Sequence, residues 1–87
     1  MNEPLYVVCR NGHFTLPEPV YQSLATQARN NFVYLREDDD ALVISTTRIA
    51  DGHRRLLQAH FRAPKFRNHT RLGIVDLKET IRVMPVK

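Results

Sequence analysis

The chain has 87 residues, 43% hydrophobic and 25% charged, with a formal net charge of +4. A domain of this length buries only about 60 to 65% of its unfolded surface, so a single unit that gains from a partner is expected. No apolar run approaches the roughly 18 residues of a membrane span, and the start MNEPLYVVCR lacks the basic, apolar and small-residue regions of a signal peptide, which points to a cytoplasmic protein.

The charge is unevenly placed. Residues 1–48 hold four basic residues (Arg10, Arg29, Arg36, Arg48) against six acidic ones, whereas residues 49–87 hold nine basic residues against Asp51, Asp76 and Glu79. Two segments are therefore expected, a first unit over 1–48 and a basic extension over 49–87 within the same compact body. Clustered positive charge suits nucleic acid or an acidic protein surface; it also suits a merely solvated face.

In chain order, LYVVCR is apolar on both faces for several residues and is expected to be a strand buried on both sides. Cys9 within it is the only cysteine, which excludes an internal disulfide or a one-chain thiolate cage and leaves a small buried hydrophobe. Asn11-Gly12 is a tight-turn signal, and His13 to Leu16 resumes the strand pattern with Phe14 and Leu16 on one face, so a small hairpin is expected. Pro17 and Pro19 cannot donate to a ladder but fit the first turn of a helix, and Leu16, Val20 and Leu24 form a stripe at helical spacing that should fade by Arg29-Asn30-Asn31.

FVYLR, EDDD and ALVIS then read as a second hairpin with an acidic tip, whose ligand spacing is not that of a calcium loop. Beyond Thr47, Asp51 or Gly52 is placed to cap a helix through HRRLLQAHF, ended by Pro64. A basic loop with two phenylalanines follows, and LGIVDL and TIRVMPV read as two further strands, although DLKETIRVM also suits a helix. No internal repeat is visible. The expected class is mainly β with one or two short helices, α+β.

Strand, glycine turn, short strand ending in Thr15-Leu16-Pro17, helix and acidic-tipped hairpin together resemble the SpoVT-AbrB-like swapped-hairpin domain of AbrB-type transition regulators and MazE-type antitoxins. The likeness covers roughly residues 5–47. Its most specific piece is Gly12-His13-Phe14-Thr15-Leu16-Pro17, similar to the family's Gly-x-x-Thr-Ile-Pro, and FVYLREDDDALVIS looks like the closing hairpin. The resemblance implies a homodimer interleaving two chains into a β-barrel-like core that binds duplex DNA without catalysis. His13 stands where many members carry a basic residue, Tyr21 and Gln22 replace basic helix residues, and the usual Gly-Asp turn is missing. These departures leave Arg10 as the only full positive charge of the first hairpin.

Arg10, Asn11, His13 and Thr15 are the candidate DNA contacts of that hairpin. Arg54, Arg55, Arg62, Lys65, Arg67 and Arg71 are candidates in the basic half, where Phe61 and Phe66 add stacking surfaces. Three scattered glycines make no phosphate loop, His53 and His60 have no third ligand at metal spacing, and Ser23 and Ser45 lack a nucleophile context. A non-enzymatic DNA-binding regulator or antitoxin without cofactor is therefore expected. The alternatives are a protein-interaction module docking a partner such as a toxin, and an RNA-binding protein.

Overall fold

Alternating apolar residues and turn signals produce eight short strands and a single α-helix among the described residues, 5–77 and 79–86, of the computed structural model. The strands are β1 (Leu5–Val8), β2 (His13–Thr15), β3 (Phe32–Glu37), β4 (Leu42–Ser45), β5 (His53–Leu56), β6 (His60–Arg62), β7 (Arg71–Leu77) and β8 (Thr80–Pro85); the helix α1 spans Glu18–Gln27. Six strands form an antiparallel sheet in the order β1-β7-β8-β4-β3-β5, and β2 pairs with β6 in a separate ribbon. The chain is mainly β, as its patterning indicates. The sheet stays open, with β1 and β5 as its edges, so no barrel closes within this chain.

The helix begins where the prolines dictate. Pro17 is extended (ψ 146°) and its carbonyl accepts from the Val20 and Tyr21 amides, both at 3.0 Å, while Pro19 sits in the first turn where no donor is needed. Leu16, Val20 and Leu24 are buried. Asn30 and Asn31 end the segment with φ of 56° and 61°, a left-handed conformation asparagine tolerates better than most residues. One apolar cluster joins Phe14, Leu16, Val20 and Leu24 to Val33, Ile44, Leu72, Ile81 and Val83 of the sheet.

The structure corrects several expectations. HRRLLQAHF is not a helix but β5, a turn and β6. Leu57 and Phe61 lie four residues apart, a spacing that suits one helix face, and both are buried; that spacing is also met by a strand, a reversal and a second strand, and pairing with β3 and β2 decides between the two. The first strand is not buried on both sides: Leu5, Tyr6 and Val8 are exposed because β1 is a sheet edge. The Asn11-Gly12 turn forms, but its hairpin stops at the Arg10–His13 bridge, after which β1 joins β7 and β2 joins β6. The closing hairpin is present as expected, β3 against β4, and LGIVDL and TIRVMPV pair as strands β7 and β8.

The pairing also corrects the reading that the chain holds no internal repeat. Exchanging β1 with β5, β2 with β6, β3 with β7 and β4 with β8 turns the sheet order into its own reverse and leaves the ribbon unchanged. The exchange holds for individual residues. The Cys9 amide donates to the Thr70 carbonyl at 2.9 Å, and the Leu57 amide to the Asn31 carbonyl at 2.6 Å; Leu16 donates to Ala59 at 2.8 Å, and Ala63 to Gly12 at 2.6 Å. Phe14 faces Phe61 across the ribbon between the pairs His13–Arg62 and Thr15–His60. Such reciprocity is the mark of a two-fold axis. The sequence retains it as His13-Phe14-Thr15-Leu16-Pro17 against His60-Phe61-Arg62-Ala63-Pro64. The basic loop around Phe66 stands where the first half has α1.

Candidate nucleic-acid interface

Residues of opposite parity on a strand point to opposite faces, and β5 uses this to place cations on both. On one side His53 and Arg55 line a groove of about 600 Å³ with His13, His60, Arg62 and Glu37. On the other, Arg54 shares a hollow of about 390 Å³ with Arg29, Arg48, Phe32 and Tyr34. The Arg54 guanidinium lies over the Phe32 ring, 4.3 Å from its centroid, which holds a long side chain in place and leaves its N–H edge for a ligand. All four β5 residues are exposed. The edge therefore offers free backbone groups flanked by five arginines and three histidines, with Glu37 the acidic residue beside them.

The groove's floor is set by the ribbon. Thr15 Oγ1 and His60 Nδ1 are hydrogen-bonded at 2.8 Å, and the Phe14 and Phe61 rings stack beneath, their centroids 5.7 Å apart. Asn11 and Gly12 adopt φ of 53° and 77°, the left-handed pair of a two-residue hairpin turn. The Arg10 and His13 amides and carbonyls close it reciprocally at 2.8 and 2.9 Å. The Asn11 amide donates to Asn68 Oδ1 at 3.0 Å, tying this turn to the loop before β7.

The ten candidate contacts read from sequence do not gather in one place. His13, Arg55 and Arg62 meet in the large groove, and Arg54 backs onto it. Arg10, His13 and Thr15 line a second groove with Tyr6, Val7 and Val8, on the β1 side of the ribbon. Arg71 lies over the Tyr6 ring at 4.1 Å, at the opposite sheet edge from β5. Lys65 is engaged with the acidic turn, its Nζ donating to the carbonyls of Asp38 and of Ala41, the latter at 3.0 Å. Asn11 and Arg67 are exposed near the turn and loop. Sequence reasoning missed Arg29, Arg48, His53 and His60 as members of the cationic edge. The histidines stood out only as a metal pair, and only the pairing of β5 with β3 brings Arg29 and Arg48 beside Arg54.

The acidic tip is more structured than a solvated turn. Asp38 accepts from Arg36 Nε and Arg82 Nη1, each at 2.9 Å, and Arg82 also approaches Asp40 at 3.6 Å. The Arg36 hydrogen bond, followed by its charge and by Arg82, holds the Asp38 carboxyl below the usual carboxylate range. These bonds spend Arg36, Arg82 and Lys65 on the tip, and the β5 edge keeps its arginines. Compared with known proteins, the chain matches no family model, no curated protein and no solved structure.

Proposed function

We propose that this protein binds duplex DNA without catalysis, as a transcriptional regulator or antitoxin-like protein, and that the β5 edge carries the contact. One observation supports this above the others: Arg54 and Arg55 project from opposite faces of an exposed edge strand into hollows that already hold Arg29, Arg48 and Arg62. A stripe of guanidinium groups on both sides of a strand, with Arg54 held over Phe32, suits a run of backbone phosphates, and the groove histidines and Gln58 supply further donors. The resemblance to swapped-hairpin regulators agrees with the ligand, while moving the contact from the first hairpin to the second half of the chain.

Fluorescence anisotropy of a labelled duplex from upstream of its own gene, beside a scrambled duplex and across a salt series, tests the proposal. Five phosphate contacts give log K against log salt a slope of about −4.5. Arg54→Glu with Arg55→Glu is expected to weaken binding to both duplexes and to flatten the slope by about 2. Unchanged affinity in that variant would sink the proposed surface. Competition with single-stranded RNA separates duplex from RNA binding.

A second reading rests on the other sheet edge. Leu5, Tyr6 and Val8 of β1 are exposed, and an edge strand with apolar side chains is suited to adding a strand from a protein partner such as a toxin. Capture of a partner protein that Val8→Lys abolishes, in a chain that binds no duplex at low salt, would favour it over the first.

A further inference from the structure

We infer that one chain carries both halves of a two-fold recognition unit, and that only one end of that unit is built for nucleic acid, so a single monomer grips one non-palindromic stretch of duplex. The inference rests on the DNA-binding reading above for its ligand. Its structural half stands on the pairing alone.

The two-fold exchange reaches every strand. β1 lies against β7 as β5 lies against β3, and β4 against β8 is its own counterpart, with Leu42 opposite Val83 and Ile44 opposite Ile81. The buried positions agree: Val33 corresponds to Leu72, Leu42 to Ile81, Ile44 to Val83 and Cys9 to Leu57, all within the core. Even the cation–ring contacts correspond with their members reversed, Arg54 over Phe32 at 4.3 Å and Arg71 over Tyr6 at 4.1 Å. Two subunits related by a true axis would each have to supply one such half. Here one chain supplies both, and the stacked Phe14 and Phe61 rings mark where the axis passes.

The ends the axis relates have diverged in charge. Where the β5 end presents His53, Arg54, Arg55 and Arg62, their counterparts at the β1 end are Leu5, Tyr6, Val7 and Thr15, and the cations there are Arg10 and Arg71. A symmetric dimer mirrors its symmetry in a palindromic site. This pseudo-dimer offers phosphates one end dense in cations and one where Arg10 and Arg71 stand among apolar side chains, so its footprint has no matching second half.

The test combines mass with a matched pair of substitutions. The full chain is followed by sedimentation equilibrium, alone and with a short duplex at low salt, across a wide concentration range. Val8 and Leu56 are counterparts under the exchange, both exposed at 42% and 54%, so Leu56→Glu and Val8→Glu place the same charge at the two ends. A single-chain mass, one chain per duplex, and loss of affinity in Leu56→Glu well beyond that in Val8→Glu are the expected results. A stable two-chain particle that binds DNA would overturn the single-chain inference and leave the DNA reading standing. Equal losses in the two variants would overturn the division between the ends. A single-chain particle that binds no duplex would overturn the DNA reading and this recognition scheme together, while the mass would still identify the monomer as the folded unit.

Discussion

Phe14 and Phe61 join the two halves of the molecule through one pair of side chains. Each is buried, and the rings stack at 5.7 Å with their planes 19° apart. Either Phe→Ala change removes about 3 to 5 kcal/mol, a large share of the roughly 5 to 15 kcal/mol that holds a native domain folded, so the urea midpoint of each variant is expected to drop sharply. The gentler Phe14→Leu and Phe61→Leu pair is more informative. Stacked rings couple by about 0.5 to 1.5 kcal/mol, and the double variant should lose less than the two single losses added. Strict additivity in urea midpoints would mean that the stack contributes only buried area. Asp38 gives a second prediction. Its carboxyl is held below the ordinary value by Arg36 and Arg82, so its contribution to stability is present above the usual carboxylate range and is lost as pH falls through the lowered value. Thermal midpoints of the natural chain should therefore fall more on acidification than those of Asp38→Asn. Parallel curves would show that the carboxylate adds nothing.

At the scale of elements, local chemistry was readable and non-local pairing was not. Pro17, Pro19 and the Leu16, Val20, Leu24 stripe define α1 because helix signals lie within a few residues of one another. The β3–β4 hairpin was equally legible from two β-rich runs around a polar turn. β5 was misread as helix because its partner, β3, lies a hairpin and a loop away, and HRRLL has no alternation of its own to betray a strand. The exposure of β1 was hidden for the same reason: apolar composition cannot tell a central strand from an edge. The candidate site suffered most, since Arg29, Arg48 and Arg54 meet only through the β3–β5 pairing. The turn at Gly12 makes a sharper element-level test. Its φ is +77° and an added Cβ would meet only Pro64, at an ordinary 3.5 Å, so the cost of Gly12→Ala is conformational, about 1 to 2 kcal/mol. A change below about 0.5 kcal/mol, the range of neutral surface substitutions, would show that the turn relaxes freely.

For the whole molecule, the order of pairing decides what can fold alone. The charge profile divides the chain into 1–48 and 49–87, yet β1 and β2 find their partners in β7 and β6, and β3 and β4 find outer partners in β5 and β8. A fragment of residues 1–48 keeps only the β3–β4 hairpin, α1 and the Asn11-Gly12 turn, and it loses Phe61, Phe66, Leu72, Ile81 and Val83 from the core. Isolated hairpins are marginal in water. The fragment is therefore expected to show no cooperative urea transition on its own, nor is 49–87, and mixing the two should restore both the transition and the near-ultraviolet signal of the full chain. A different result would be equally instructive. Because the two halves are related by exchange, a second copy of 1–48 can in principle occupy the place of 49–87, with Phe14 stacking on its own counterpart. If 1–48 alone sedimented as a cooperative two-chain particle, the first half would retain the capacity for self-association, and the second half would act as an internal replacement for a partner subunit, with its own Arg54, Arg55 and Arg62 added for the ligand.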